Sequence, residues 1–183
     1  MSFADRIASV PFRRLVWLLP VTYALHELEE WNILSWYQEQ FGQVPTDSDL
    51  VLHTWLIGIS LVGFLWTSIG CVLPTPRATA IFTLTFFIAA VFGNALQHVY
   101  WQVAFGAYAP GVLAAVFLNI PAILLLSWHA LRNRLVRWPF LGILYALCLS
   151  PLVSAARAGR DTLPFRAIYD LSEQVVRILF GAG

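Results

Sequence analysis

Lysine is absent from the chain, and its 11 basic residues, all arginine, face 10 acids, so a net charge of +1 leaves no basic field to attract nucleic acid. Charge of either sign is scarce. Only 11% of the 183 residues are charged types and 59% are apolar, against roughly 25% charged in soluble domains. With a mean hydropathy of +0.71, this composition defines an integral membrane protein. Cysteine occurs twice, at Cys71 and Cys148, each isolated in an apolar run. That excludes a CxxC metal knuckle and a disulfide framework, and both read as small buried hydrophobes. No polar linker is long enough to separate a second domain and no internal repeat is present, so residues 1–183 are read as a single membrane domain. The start imitates a secretory signal, with Arg6, Arg13 and Arg14 ahead of the apolar run Leu15 to Leu19 and a small residue at Ala24. We read it as an uncleaved membrane segment.

A bilayer core of about 30 Å takes roughly 20 apolar helical residues. Five segments are read as spans, at about 15–36, 51–73, 78–101, 111–130 and 138–156, the last weakened by Pro151. Asp47 or Ser48 is the expected N-cap of the second segment, and Pro74-Thr75-Pro76 ends it. The tail, about 164–179, places Phe165, Ile168, Leu171, Val175, Val176 and Leu179 at near-helical spacing among charged residues, the pattern of an interfacial amphipathic helix. The expected fold is all-α: a polytopic transmembrane bundle of about five helices plus a C-terminal amphipathic helix.

Arginines orient the bundle. Arg13 and Arg14, then Arg77, then Arg132, Arg134 and Arg137 fall on alternate connections, which should be cytoplasmic. The N-terminus is then cytoplasmic, with a bacterial inner membrane as the expected location. Arg157, Arg160, Arg166 and Arg177 obey the rule only if the fifth segment does not cross.

One segment is chemically out of place. Leu25-His26-Glu27-Leu28-Glu29-Glu30-Trp31 sets an imidazole and three carboxylates inside an apolar span, where ionisable groups are costly and usually functional. At 1.5 Å per residue, His26 lies about 18 Å above the cytoplasmic edge, in the outer half. Asn94 and His98 fall near the outer end of the third segment, His53 at the outer mouth of the second, and Asn119 about 12 Å below the start of the fourth. Polar positions on four segments thus meet in one layer. His26 shares a helix face with Glu29 (i,i+3) and Glu30 (i,i+4), and Asn94 with His98 (i,i+4), whereas Glu27 points elsewhere.

Two histidines and one or two carboxylates are the donor set of zinc hydrolases, of mononuclear non-haem iron, and of half a di-iron bundle site. The expected ligands of a divalent metal, zinc or iron, are His26, Glu29, Glu30 and His98, with a remaining carboxylate, Glu29 or Glu30, as general base. Asn94, Asn119 and His53 are expected to orient ligands or touch substrate, since neutral amides are poor transition-metal ligands. The bland alternative is a polar knot between helices, or for His53 simple solvation of a helix start.

His26-Glu27-Leu28-Glu29-Glu30, then Asn94-Ala95-Leu96-Gln97-His98, then Pro110-Gly111 followed by Asn119, resemble in order the signature elements of the HXXEE membrane proteins, over roughly Leu15 to Leu126. The resemblance implies site residues and no reaction. The leading expectation is a membrane enzyme of hydrolase or oxygenase type, acting on a lipophilic substrate among membrane lipids, with a homo-oligomer in view. A metal-free acid/base isomerase or cyclase of a sterol-like or isoprenoid lipid is the second, and a small transporter or ion-binding protein the third.

Overall fold

A computed structural model describes residues 2–161 and 166–181, and among them every regular element is helical. The chain opens with four short helices, α1 (Phe3–Ala8), α2 (Phe12–Leu15), α3 (Leu18–Glu29) and α4 (Ile33–Gln40). Then come α5 (Asp49–Val72), α6 (Pro76–Phe105), α7 (Val112–Arg132) and α8 (Trp138–Ala158), each long and apolar enough to cross a bilayer. An amphipathic helix, α9 (Arg166–Phe180), closes the chain. Ser48 caps α5, and Thr75 caps α6 with Pro76 behind it, where a missing N–H costs nothing.

The first expected span, 15–36, is not one helix. Pro20 cannot donate to the carbonyl of Val16, and the helix loosens there into a turn at 16–17. It stops at Glu29, followed by a turn at 30–32, because the last acids of the segment are drawn to groups on other helices. Residues 12–29 still traverse the bundle. Arg13 at their start binds the Leu73 carbonyl and Thr79, and Glu29 at their end meets Leu113 and Ala114.

The bundle therefore has an arginine end and a loop end. At the first, Arg132 pairs with Asp5 at 2.5 Å and His129 donates to the Val10 carbonyl at 2.9 Å. Hydrogen bonds from the Ser2 hydroxyl and N–H, reinforced by Arg132, hold the Asp5 carboxyl below its ordinary range. At the other end lie the 106–111 turn and Arg160, whose guanidinium donates to the Phe105 carbonyl at 3.2 Å. Thus α8, slackened at Cys148 ahead of Pro151, runs from one end to the other, and Arg157 and Arg160 sit opposite the other connection arginines.

Two apolar clusters share the interior. Phe12, Leu19, Leu84, Phe87, Ile123 and Leu126 fill the arginine half, and an aromatic group including Trp36, Tyr37, Phe41 and Trp101 fills the loop half. Leu61, Leu65 and Val72 of α5 are exposed, as lipid-facing side chains are. Helix α9 lies along α5 with Tyr169, Ser172 and Val176 inward and Ile178, Leu179 and Phe180 outward. The expected start of the tail helix at Pro164 lies outside the described residues.

Candidate functional site

Both long helices that reach the site are wound loosely beside it. In α6, residues Phe87–Phe92 form a stretch of π-helix just before Asn94 and His98, and in α7 a second covers Ala115–Asn119, ahead of Pro121. Such single-turn bulges reorient the side chains that follow and are frequent at functional sites.

His26 and His98 are fully buried, edge to face, with ring centroids 4.9 Å apart. Each is tied through Nδ1 to a backbone carbonyl of the turn before α7: His26 donates to Gly111 at 2.9 Å and His98 to Pro110 at 2.7 Å. A carbonyl only accepts, so Nδ1 carries the proton in both rings, and a neutral ring then presents a lone pair at Nε2. The two lone pairs converge on Glu30, whose Oε1 lies 2.7 Å from His26 Nε2 and 3.0 Å from His98 Nε2, neither approach directed as a hydrogen bond. Asn94 adds Oδ1 at 2.7 Å from His26 Nε2 and Nδ2 at 3.4 Å from His98 Nε2. Exchanging the amide ends would only move the facing oxygen from His26 to His98. With neutral rings, several electron pairs face one another with too few protons between them.

Gly111 makes this convergence sterically possible. Its φ is +92°, and a Cβ placed on it would stand 2.8 Å from Glu30 Oε1, 2.9 Å from His26 Cε1 and 2.9 Å from His98 Nδ1. The Pro-Gly pair thus supplies two carbonyl acceptors and a floor with no side chain.

Glu29, expected as ligand or base, goes elsewhere. Its carboxylate accepts from the N–H groups of Leu113 (3.1 Å) and Ala114 (2.7 Å) and from the Tyr108 hydroxyl, capping α7 from a distance. Burial, and then the neighbouring carboxylate, push the Tyr108 phenol up to about 12, so it stays a donor at any working pH. Glu29→Gln should cost about 1 kcal/mol, the usual worth of a helix cap, and leave the His26, Glu30 and His98 cluster in place. Thermal unfolding of the purified variant checks this, and a destabilisation several times larger would contradict it.

Glu27, which the helical spacing turns away from the histidine face, is buried and lines a cavity of about 230 Å³ together with Glu30, Asn94 and Gln97. Most of the remaining wall is aromatic or aliphatic, including Tyr23, Trp55 and Trp101, with Tyr169 contributed by the tail helix. The direction left open by the spacing is the cavity. An ionisable group in an apolar segment was the signal that could have found it. His53 stands apart: it stacks on Trp31 with centroids 3.9 Å apart and donates through Nε2 to the Trp31 carbonyl at 2.8 Å. Asn119 is fully buried in the π-helical stretch of α7, and among the described residues its amide has no hydrogen-bond partner.

These features define a polytopic helical-bundle membrane protein with a buried cluster of two histidines and one carboxylate, of which Glu30 lines a largely apolar cavity. A family model described as "Protein of unknown function with HXXEE motif" matches residues 17–126, and the chain belongs to that family. No curated protein and no solved structure matches the chain.

Proposed function

We propose that the protein is a membrane-embedded, metal-dependent enzyme acting on a lipophilic substrate. The observation that carries this reading is the convergence of His26, His98 and Glu30, an electron-pair excess when the rings are neutral, with both Nδ1 protons committed to carbonyls and both Nε2 atoms facing a carboxylate. A cation relieves it. The three donor atoms lie within 4.8 Å of one another, and two imidazoles with one carboxylate suit zinc or iron(II).

The spacing fits after a small adjustment. Zinc bonds of 2.0–2.1 Å in a tetrahedron hold donors about 3.3 Å apart, against the observed 2.7 and 3.0 Å, so the donors would move apart by roughly half an ångström. The carbonyl partners of both rings already orient them, as partners of ligating histidines do. A divalent ion held there would act as a Lewis acid on an oxygen-bearing group of the substrate. The chain's own contribution is an apolar cavity that excludes water, and Glu27 beside Glu30 to take or return a proton. Hydrolase and oxygenase chemistry both remain within this donor set.

Seven arginines at the far end support a cytoplasmic arginine end and a site in the outer half of the bilayer.

Elemental analysis of the purified protein should find about one equivalent of zinc or iron, and His26→Ala and His98→Ala should each fall to trace levels, well beyond the 10–100-fold loss typical of removing an outer partner. Wild-type protein with no metal after purification in metal-replete medium would sink the proposal. A second reading has one observation in its favour: His26 faces an accepting oxygen from each ring nitrogen, the Gly111 carbonyl at Nδ1 and Asn94 Oδ1 at Nε2, as an imidazolium does. On that reading a proton replaces the metal, and the site isomerises or cyclises a sterol-like or isoprenoid lipid. Turnover that survives strong chelators would favour it.

A further inference from the structure

Helices α3 and α5 pack side by side, and an open furrow runs along their seam. Toward the arginine end they close tightly: a Cβ on Gly63 would meet Tyr23 Cδ1 at 3.4 Å and Pro20 Cβ at 3.9 Å. Toward the loop end the His53 ring lies on Trp31 and binds its carbonyl. Packed helices ordinarily stay 8–10 Å apart along their contact, with interdigitated side chains. Here the stretch of α5 from Leu56 to Phe64, about 12 Å of helix, borders an open furrow of about 210 Å³.

The furrow has a polarity gradient. Its outer walls are Leu28, Ile57, Leu61 and Phe64, and its polar residues are Ser60 and Glu27. Leu28, Ile57 and Leu61 are exposed on the surface that faces lipid, while Glu27 and Leu56 are buried. Glu27 and Leu56 also line the internal cavity. The furrow and the cavity therefore share two wall side chains, one of them the carboxyl beside Glu30.

We propose that the substrate is a single-chain amphiphile that reaches the cavity sideways from the bilayer, between α3 and α5. Its polar head passes Glu27 and Leu56 to reach Glu30, and its chain lies in the furrow. One furrow between two helices holds one chain, so a two-chain lipid would leave its second chain outside. The Trp31 and His53 latch and the Gly63 contact keep the helices pinned while the gap between them is used. The proposal rests on the cavity being a substrate site, and it assigns both the substrate class and the route.

The test uses the full chain in lipid nanodiscs with a long-chain fatty alcohol carrying a diazirine near its hydroxyl, and mass spectrometry to map the adducts. Adducts should concentrate on Glu27, Leu56 and Ile57. Excess unlabelled alcohol should suppress them about tenfold, the ratio given by 1.4 kcal/mol of preferential binding, and leave adducts on the lipid-facing Leu65 and Val72 unchanged. Ser60→Trp, which fills the furrow, should remove the suppressible adducts, and the milder Ser60→Leu should reduce them if the bulky variant misfolds. Adducts spread evenly over the lipid-facing surface, or suppressed equally by a two-chain phosphatidylcholine, would overturn the proposal. Retained metal with evenly spread adducts would overturn lateral access alone. Patterned adducts on a metal-free protein would overturn the metal reading alone.

Discussion

Replacing Gly111 by alanine is expected to lower stability by about 2–4 kcal/mol, from backbone strain and overpacking together, and, on the metal-dependent reading proposed above, to abolish metal binding. Two causes act at once. The backbone at φ +92° is one that residues with a Cβ rarely adopt, and the added carbon would fall within 2.9 Å of His26, His98 and Glu30 together. None of the three can yield alone, because each histidine is held through Nδ1 and Glu30 sits between them. Gly106 is the control. It also has a positive φ, +67°, but nothing lies within 4 Å of its Cβ direction. Gly106→Ala should show only the strain, about 1 kcal/mol, with metal retained. Melting temperature and metal content measured on both variants give the comparison, and a Gly111→Ala protein with wild-type metal and wild-type melting would refute the assigned role.

Glu30→Gln should separate a metal from a proton at the cluster. Glutamine keeps the shape of glutamate, removes its charge and adds an N–H₂ group that can donate to an Nε2 lone pair. If the rings are neutral and await a metal, the amide cures the electron-pair excess. The metal-stripped variant should then be more stable than metal-stripped wild type by about 1 kcal/mol, the net worth of a hydrogen bond, while its metal content falls to trace. If an imidazolium already pairs with the carboxylate, the same change breaks a buried ion pair and should cost about 3–5 kcal/mol. The sign of the difference is the readout. Unfolding of the two metal-stripped proteins in the same detergent is enough, and a destabilised variant would count against the metal.

Much of the architecture was readable from hydropathy alone, because a bilayer imposes a length on every apolar helix. The spans that became α5 to α8 follow from that rule and from proline and glycine boundaries. The first segment did not, since its helix is broken by Pro20 and ended by long-range partners of Glu29 and Glu30, and a count of apolar residues is blind to both. The meeting of polar positions was legible from counting along the helices, and the structure brings His26, Glu30, Asn94 and His98 together. What spacing could not supply was the destination of each neighbouring acid. Glu29 satisfies N–H groups more than eighty residues away in sequence, and Glu27 faces a cavity that exists only after α5 and the tail helix have packed. His53 belongs to a different contact, with Trp31. The π-helical stretches were invisible too, because one extra residue in a helical turn leaves no mark on composition.

Both histidines hang from consecutive carbonyls, those of Pro110 and Gly111, and so from a single short stretch of backbone. Their donor atoms sit on two different helices, but the separation between them is governed by that stretch. Bending α3 or α6 alone therefore pulls against the same piece of chain, whereas a shift of the 106–111 turn carries both rings together. In mechanical terms the pair is coupled in common mode: a displacement of the turn would carry the two imidazoles together.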